Sequence, residues 1–428
     1  MQITVHRGSR QIGGSCIEVD SGTCRILLDI GLPLESQDLS DSEGPELVET
    51  GILPDIPGIY TWDERDSSID AILISHPHLD HYGILQFVKP SVTVYMGSDA
   101  WAIIGKAAQF VSSNLPFKGE VYPIESGMPF AINGYAITPY LMDHSAFDAY
   151  AFHVTDNKTS IIYTGDFRAH GRKKKAFDWF LNNAPKNVDA LILEGTMLSR
   201  ISEDVETETE LEEDVVSVIS KTAGITYAYC SGQNIDRLVS FYRAAKRTGR
   251  LFVVDIYTAH ILATAGKDAQ IPRPGKAYPD IRVYYPYWLS KRVSEADKKQ
   301  LLYDFQPYKI SRDEIREKAS RIVMLIRPSV KSDLERINAF DNATLIYSLW
   351  SGYLNDKYTA DFIDRMEGQG VTVEHLHTSG HATLKDLKRT VKNLQPKSII
   401  PIHTQAPEVM QQTFANVRMI KDKKPFEI

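Results

Sequence analysis

The chain has 428 residues, 43% of them hydrophobic and 24% charged; these are ordinary values for a soluble globular protein, and the length points to two domains. A formal net charge of -7 excludes broad attraction to a polyanion, so any nucleic-acid contact has to come from local basic surface. Three scattered cysteines, Cys16, Cys24 and Cys230, exclude a disulfide framework and a thiolate metal site. No apolar run approaches the ~20 residues of a membrane span, and the opening Met1-Gln2-Ile3-Thr4-Val5-His6 lacks the apolar core of a signal peptide. A cytoplasmic enzyme is the expectation.

In chain order, short β-rich runs bounded by Gly, Pro, Asp or Ser predict strands at 3–5, 16–19, 25–28, 71–74, 92–95, 135–141, 160–163 and 190–193. Helical patterns fall at 84–88, 99–112 and 174–182. The segment 32–68, rich in Pro, Asp and Ser, reads as a long loop, a kind that is usually either functional or poorly ordered. Residues 203–214 hold eight acidic side chains in twelve and read as the first turn and solvated face of a helix, since acidic groups favour helix starts. Strands at 225–229, 251–256, 281–285, 322–326 and 344–347 then alternate with helices at 234–246, 259–265, 294–303 and 332–340. That alternation predicts a parallel sheet flanked by helices, a Rossmann-like module. A helix at 356–367, a strand at 371–375, a helix at 384–393 and a strand at 398–402 follow. There is no internal repeat and no low-complexity segment.

The densest chemistry lies in Ser75-His76-Pro77-His78-Leu79-Asp80-His81, directly after the apolar run Ala71-Ile72-Leu73-Ile74. Histidine and carboxylate suit zinc, and a catalytic zinc keeps a position open for water. Four such side chains cannot all bind one ion comfortably. His76 and His78 lie in a loop, whereas Asp80 and His81 fall where a helix should begin, so the natural division is one pair per metal. Asp29, His144, Asp166 and His403 each end or follow a β-rich run. Side chains at one edge of a sheet can converge although they are far apart in sequence.

His76-x-His78-x-Asp80-His81 with Asp29, His144 and Asp166 resembles the metallo-β-lactamase fold signature. The resemblance implies an α/β fold, an αββα sandwich with a dinuclear zinc site at its edge. It places His76, His78 and His144 on a first zinc and Asp80, His81 and His403 on a second, with Asp166 bridging and Asp29 orienting the site from behind; Mn2+ is the alternative metal. The segment between Glu194 and Val371 is similar to the insert of the β-CASP nucleases, which implies a metallo-β-lactamase domain at 1–204, a β-CASP domain at 205–370 and a return segment at 371–428. Leu193-Glu194-Gly195-Thr196 looks like that branch's motif A, His377-Thr378-Ser379-Gly380-His381-Ala382 like motif B with His381 in the functional position, and Pro401-Ile402-His403 like motif C. Within the branch, ribonuclease J and its prokaryotic relatives are most similar. The resemblance rests on Leu53-Pro54-Asp55, Tyr163-Thr164-Gly165-Asp166-Phe167-Arg168 and Asn234-Ile235-Asp236-Arg237 with the basic run 243–250. Two departures stand out. The chain ends 25 residues after His403, short of that family's C-terminal domain, and the expected Gly-rich stretch is replaced by Ser348-Leu349-Trp350-Ser351-Gly352-Tyr353.

The implied activity is hydrolysis of an RNA phosphodiester by a metal-activated water, with Asp80 and Asp166 in the catalytic centre. His381 would contact the scissile phosphate and protonate the leaving oxygen, held in orientation by Glu194. Ser379 and the amides of Gly380 and His381 read either as a phosphate site at a helix start or as a plain cap. Arg172-Lys173-Lys174-Lys175 and Lys246-Arg247 with Arg250 read as solvated surface or as a backbone track. Trp350, Tyr353, Tyr284, Tyr285 and Trp288 read as core or as stacking platforms. His6, His153, His170, His260 and His375 receive no metal role, and His377 stays open. RNA is the expected partner, with single-stranded DNA the alternative, a homodimer compatible and no membrane partner. The rival readings are a DNA-directed nuclease, a hydrolase of small esters or phosphoesters, and a non-catalytic nucleic-acid-binding subunit.

Overall fold

The computed structural model describes residues 1–36, 44–65, 69–111, 117–201, 205–266 and 269–428. Parts of the expected loop at 32–68, the end of the helix expected at 99–112 and the start of the acidic run at 203–214 lie outside the described residues.

Nineteen strands form three sheets among the described residues. The first sheet contains β1 (Gln2–Arg7), β2 (Cys16–Asp20), β3 (Arg25–Leu28), β4 (Ala71–Leu73), β5 (Thr93–Gly97) and β6 (Val121–Ile124). The second contains β7 (Phe130–Ile132), β8 (Tyr135–Met142), β9 (Ala149–Thr155), β10 (Ser160–Tyr163) and β11 (Ala190–Glu194). The third contains β12 (Thr226–Tyr229), β13 (Leu251–Asp255), β14 (Ile281–Tyr284), β15 (Ile322–Ile326), β16 (Thr344–Tyr347) and β17 (Thr372–His375). The chain then returns with β18 (Ser398–Ile402) to the second sheet, beside β11, and with β19 (Phe426–Glu427) to the first, beside β1.

The first two sheets pack face to face. Ile3, Val5, Ile17, Ile26 and Leu28 of one meet Ile137, Phe152, Ile161, Ile192 and Ile400 of the other in a single buried cluster. β1 buries alternate residues, as a strand with one wet face must. β4 and β11 bury every residue because helices cover their outer sides as well. Phe177, Phe180, Leu387 and Leu394 cover the second sheet, and Ile84, Ile104 and Leu47 cover the first. The result is the expected αββα sandwich. The segment 32–68 contributes the helix Gly44–Glu49 and buries Leu53, Ile56, Ile59 and Tyr60, so its described part is packed.

All six strands of the third sheet run parallel, in the order β14-β13-β15-β12-β16-β17. β17 pairs with β16 through Tyr347 and His375, so the sheet takes in a strand that the division at 370/371 assigns to the return segment. The helix expected at 294–303 instead starts at Tyr287, after Pro286, with the Tyr287 amide donating to Asp333 Oδ2 at 3.2 Å. It stops at Glu295, where Asp297 turns left-handed at φ 55°, and resumes over Gln300–Tyr303. No helix among the described residues is long and apolar enough to cross a membrane.

Candidate metal centre

Every candidate ligand leaves a strand at one edge of the sandwich. β3 leads to Asp29 and β4 to the histidine cluster; β8 leads to His144, β10 to Asp166, β11 to Glu194 and β18 to His403. β3 and β4 are parallel, as are β10, β11 and β18, so these carboxyl ends open on one cleft. The loop after β3 clamps the cluster. Ile30 N donates to His81 O (2.8 Å), Leu32 N to Leu79 O (3.1 Å) and Ser15 N to Asp80 O (3.1 Å). A Cβ on Gly31 would lie 1.7 Å from the Asp80 carbonyl oxygen, so only glycine permits this approach. Asp29 and His403 both adopt the left-handed region, at φ 58° and 52°, a strain of ~1–3 kcal/mol each that proteins keep mainly at functional sites.

The side chains form two sets. His76 Nε2 lies 3.1 Å from His78 Nδ1, which lies 3.4 Å from His144 Nε2. His403 Nε2 lies 3.2 Å from Asp80 Oδ2, and His81 Nε2 3.7 Å from the same oxygen. Asp166 Oδ2 stands between the sets, 3.2 Å from His81 Nε2 and 3.8 Å from His76 Nε2. The structure thus brings together all seven residues that the resemblance names as ligands, and His76, His81 and Asp166 also form a cluster across the two sets. Asp166 also gathers His381 and His403 into a further cluster.

The far nitrogen of four imidazoles is engaged elsewhere. His81 Nδ1 donates to Asp29 (2.7 Å), His144 Nδ1 donates to Gly380 O (2.6 Å), His76 Nδ1 meets Ser75 Oγ (3.0 Å) and His403 Nδ1 meets Thr196 Oγ1 (2.8 Å). This aims each Nε2 inward, the arrangement that orients metal ligands. Asp29 is fixed in turn by the amide and hydroxyl of Ser75 and by the Tyr163 hydroxyl, at 2.6, 2.7 and 2.6 Å.

Burial pushes the His76 and His144 imidazoles well below their ordinary range, helped by neighbouring imidazoles, and takes His78 down to about 4. Burial opposes ionisation of Asp80, but His81 and His403 outweigh it and bring the carboxyl to about 2. Asp166 is likewise held well below the carboxylate range, against burial, by His403, His81 and His381. His81 goes the other way: against burial, Asp166, Asp80 and Asp29 push it well above its ordinary range. Neutral imidazoles and ionised carboxylates are the forms that bind zinc, so His81 gives up its proton when a cation enters. His81 Nε2, Asp166 Oδ1 and His381 Nδ1 are buried without a hydrogen-bond partner, so the donor set fits a divalent cation. Treatment with a chelator is expected to lower the unfolding midpoint, and added zinc to restore it. A ligand at a hundredfold its Kd stabilises by about 2.7 kcal/mol, which differential scanning calorimetry would detect.

His381 borders this centre. Its Nδ1 lies 3.5 Å from Glu194 Oε1 and 3.6 Å from Asp166 Oδ2. Burial would lower its pKa, but Glu194 and Asp166 raise it. Glu194 is fully buried and accepts the amides of Phe167 (3.3 Å), Thr196 (3.0 Å) and Ala382 (3.1 Å), which joins three site loops. The phosphate site read for Ser379 and Gly380 has other uses here. Ser379 Oγ accepts the His381 amide at 3.1 Å, and the Gly380 carbonyl serves His144. The helix begins only at Leu384, capped by Thr383.

A buried charge network behind the site was not read from the sequence. Arg168, fully buried, donates to Ser379 O (3.0 Å), Glu208 Oε1 (3.3 Å) and Asp236 Oδ2 (2.6 Å). Arg237 donates to Thr378 O (3.1 Å), Glu208 Oε1 (3.2 Å) and Ser348 Oγ (2.6 Å). His170 Nε2 adds a bond to Ser379 O at 2.8 Å. The loop that carries His381 therefore hangs on one cation that follows β10 of the sandwich and one from the helix Ile235–Arg247 beside the third sheet.

The same network corrects three surface readings. Glu208 and Glu212, expected on a solvated face, are 1% and 2% exposed. Arg172 and Arg247 pair with Glu212, Lys173 pairs with Asp236, and Arg250 donates to the carbonyls of Gly224, Ile219 and Thr222, so part of each basic run is engaged within the protein, whereas Lys174, Lys175 and Lys246 stay exposed. Of the aromatic candidates, Tyr284 is buried with its hydroxyl on Asp333 (2.7 Å), whereas Trp288, Trp350 and Tyr353 are exposed. His6, His153, His170, His260 and His375 each bond a group outside the metal cluster. Burial takes His377 down to about 3.

Comparison with known proteins agrees with this picture. Residues 58–220 match the beta-lactamase superfamily domain, and residues 371–416 match the Zn-dependent metallo-hydrolase RNA specificity domain. Ribonuclease J of Mycoplasma genitalium is 22% identical over 435 residues, covering 96% of this chain and 68% of that protein. Ribonuclease J of Sinorhizobium meliloti is 22% identical over 382 residues, covering 85% and 62%. Transcription termination factor FttA of Methanothermobacter thermautotrophicus is 24% identical over 288 residues, covering 60% and 41%. The chain thus spans 41–68% of these relatives' own lengths. A crystal structure of a protein of unknown function from Enterococcus faecalis superposes with a TM-score of 0.79 at 20% identity, over 99% of each chain, and shares the fold. Residues 58–220 thus carry a beta-lactamase superfamily domain and residues 371–416 a Zn-dependent metallo-hydrolase RNA specificity domain, and the chain as a whole is similar to ribonuclease J proteins at low identity.

Proposed function

We propose that the protein is a cytoplasmic zinc-dependent ribonuclease that hydrolyses RNA phosphodiester bonds. In this reading His76, His78 and His144 hold one zinc and Asp80, His81 and His403 a second, with Asp166 shared. The observation that carries it is His381, held by Glu194 at the edge of the metal cluster, where the parallel sheet delivers its last strand, β17. A hydrolase of small esters needs no such second sheet at its mouth.

A zinc pair there supplies Lewis acidity, lowering the pKa of water and drawing charge from phosphoryl oxygens. The chain does the rest. Glu194 and Asp166 favour the protonated imidazole of His381 and occupy its Nδ1 side, which leaves Nε2–H to donate to the scissile phosphate and then to the leaving oxygen. Asp29, through His81, keeps the ligand set in place. Residues 205–370, continued by β17, form the wall along which a strand of RNA lies.

The test is to incubate the zinc-loaded protein with 5′-monophosphate, 5′-triphosphate and circular single-stranded RNA, beside DNA of the same sequence. RNA is expected to be cut faster than DNA, and circular RNA reports whether cleavage starts internally. A zinc- or manganese-loaded protein that cuts none of them would overturn the reading.

A further inference from the structure

Beside the metal cluster lies a partly exposed aromatic pair, Trp350 and Tyr353, outside the hydrophobic core clusters. Trp350 precedes the short helix Ser351–Asn355, just beyond β16 on the carboxyl edge of the third sheet. Tyr353 meets Trp350 edge to face, with ring centroids 5.5 Å apart. The guanidinium of Arg200 lies over the indole, 4.6 Å from its centroid. A Cβ on Gly352 would come within 2.3 Å of the indole, so glycine here lets the ring lie against the backbone.

Two tethers hold this pair at the mouth of the site. Arg200 ends the helix Thr196–Arg200, whose first residue bonds His403 at 2.8 Å. Ser348 Oγ donates to Leu376 O at 2.6 Å, on the segment running into His381. Yet Tyr353 is 50% exposed and Trp350 37%, with Leu79 and Leu354 exposed as well. Aromatic rings left wet beside a charged cleft are a poor use of apolar surface for folding and a good platform for a flat, π-faced ligand.

We propose that Tyr353 and Trp350, braced by Arg200, clamp the unpaired base of a nucleotide flanking the scissile phosphate, which rests on the nucleolytic reading above. The base stacks on the exposed tyrosine and indole edge, and the Arg200 charge faces the adjoining phosphodiester. The clamp selects single strands, since a paired base cannot leave its stack without added cost.

The experiment maps the cut in a short unpaired RNA, then makes each nucleotide flanking it abasic in turn. For the zinc-loaded wild type, one abasic position is expected to lower kcat/KM about tenfold, the size of one base–aromatic stack. Tyr353→Ala is expected to lose a similar factor on intact RNA, chiefly through KM, and then to be indifferent to that abasic position. Tyr353→Phe keeps the ring and should behave as wild type; Trp350→Ala should follow Tyr353→Ala. Unchanged zinc content and circular dichroism show that the variants are folded, and the abasic arm needs no variant at all. The clamp is overturned if Tyr353→Ala and Trp350→Ala cut intact RNA at the wild-type kcat/KM, or if they retain the full abasic penalty. A wild type that cuts no RNA overturns the nucleolytic reading and the clamp with it, a result distinct from an active enzyme indifferent to both rings.

Discussion

His381→Ala is expected to slow phosphodiester cleavage by about 10²- to 10⁴-fold, the usual worth of a positioned proton donor, while the protein keeps its zinc. The expectation follows from where the ring sits. The far nitrogens of His76, His81, His144 and His403 are engaged by Ser75, Asp29, Gly380 and Thr196, and none of those bonds involves the His381 side chain. Removing the imidazole leaves both ligand sets intact and deletes the proton source. Asp80→Ala should act differently, because its carboxylate belongs to the set with His81 and His403. Zinc content should fall along with the rate. Single-turnover cleavage paired with metal analysis separates the two. Since His381 also clusters with Asp166 and His403, loss of zinc from His381→Ala would reassign it from proton donor to ligand, and full activity in that variant would remove it from the mechanism.

Glu208→Gln is expected to destabilise the fold by about 3–5 kcal/mol, the usual result of leaving a buried charge without its partner. Glu208 faces Arg168, Arg237 and Ser240. Burial works against its ionisation, yet Arg237 and Arg168 hold its carboxyl well below the usual range. A carboxyl depressed in the folded state stabilises above its unfolded pKa and loses that contribution as pH falls toward its folded pKa. The gap between wild type and Glu208→Gln should therefore be full at pH 7 and narrow below about pH 4.5, the ordinary glutamate value. Urea unfolding at a series of pH values measures it. A gap under about 1 kcal/mol at pH 7, the worth of an exposed pair, would show that the network contributes little. Arg168 and Arg237 also bond the carbonyls of Ser379 and Thr378, so the folded fraction of the variant should cleave more slowly as well.

The metal centre was legible because its ligands are chemically unusual at their positions. Four metal-binding side chains within 76–81 cannot be explained by packing, and the partners His144, Asp166 and His403 each follow a β-rich run. The parallel insert could be read from the alternation of strands and helices, whereas the two-sheet sandwich was implied by the motif resemblance, and its strands β6, β7 and β9 were not read from the local pattern. Where neighbours decide, the reading failed. The helix from Tyr287 begins because Asp333, distant in sequence, accepts its first amide. The strand β17 belongs to the third sheet because of its register with β16, which no window around residue 371 contains.

Charge shows the limit most clearly. The acidic run at 203–214 read as a solvated helix face, and the basic runs near 172 and 247 as solvated surface or a backbone track, because a run of like charge repels itself unless opposite charge is near. In the folded protein they are near: Glu212 meets Arg172 and Arg247, and Glu208 meets Arg168 and Arg237. By itself the sequence determined most of the regular elements and which side chains can ligate a metal, since both depend largely on residue type and local spacing. Only the tertiary structure decided which charges are buried together, how the His381 loop is held and what lines the mouth of the site, since these depend on contacts between residues remote along the chain.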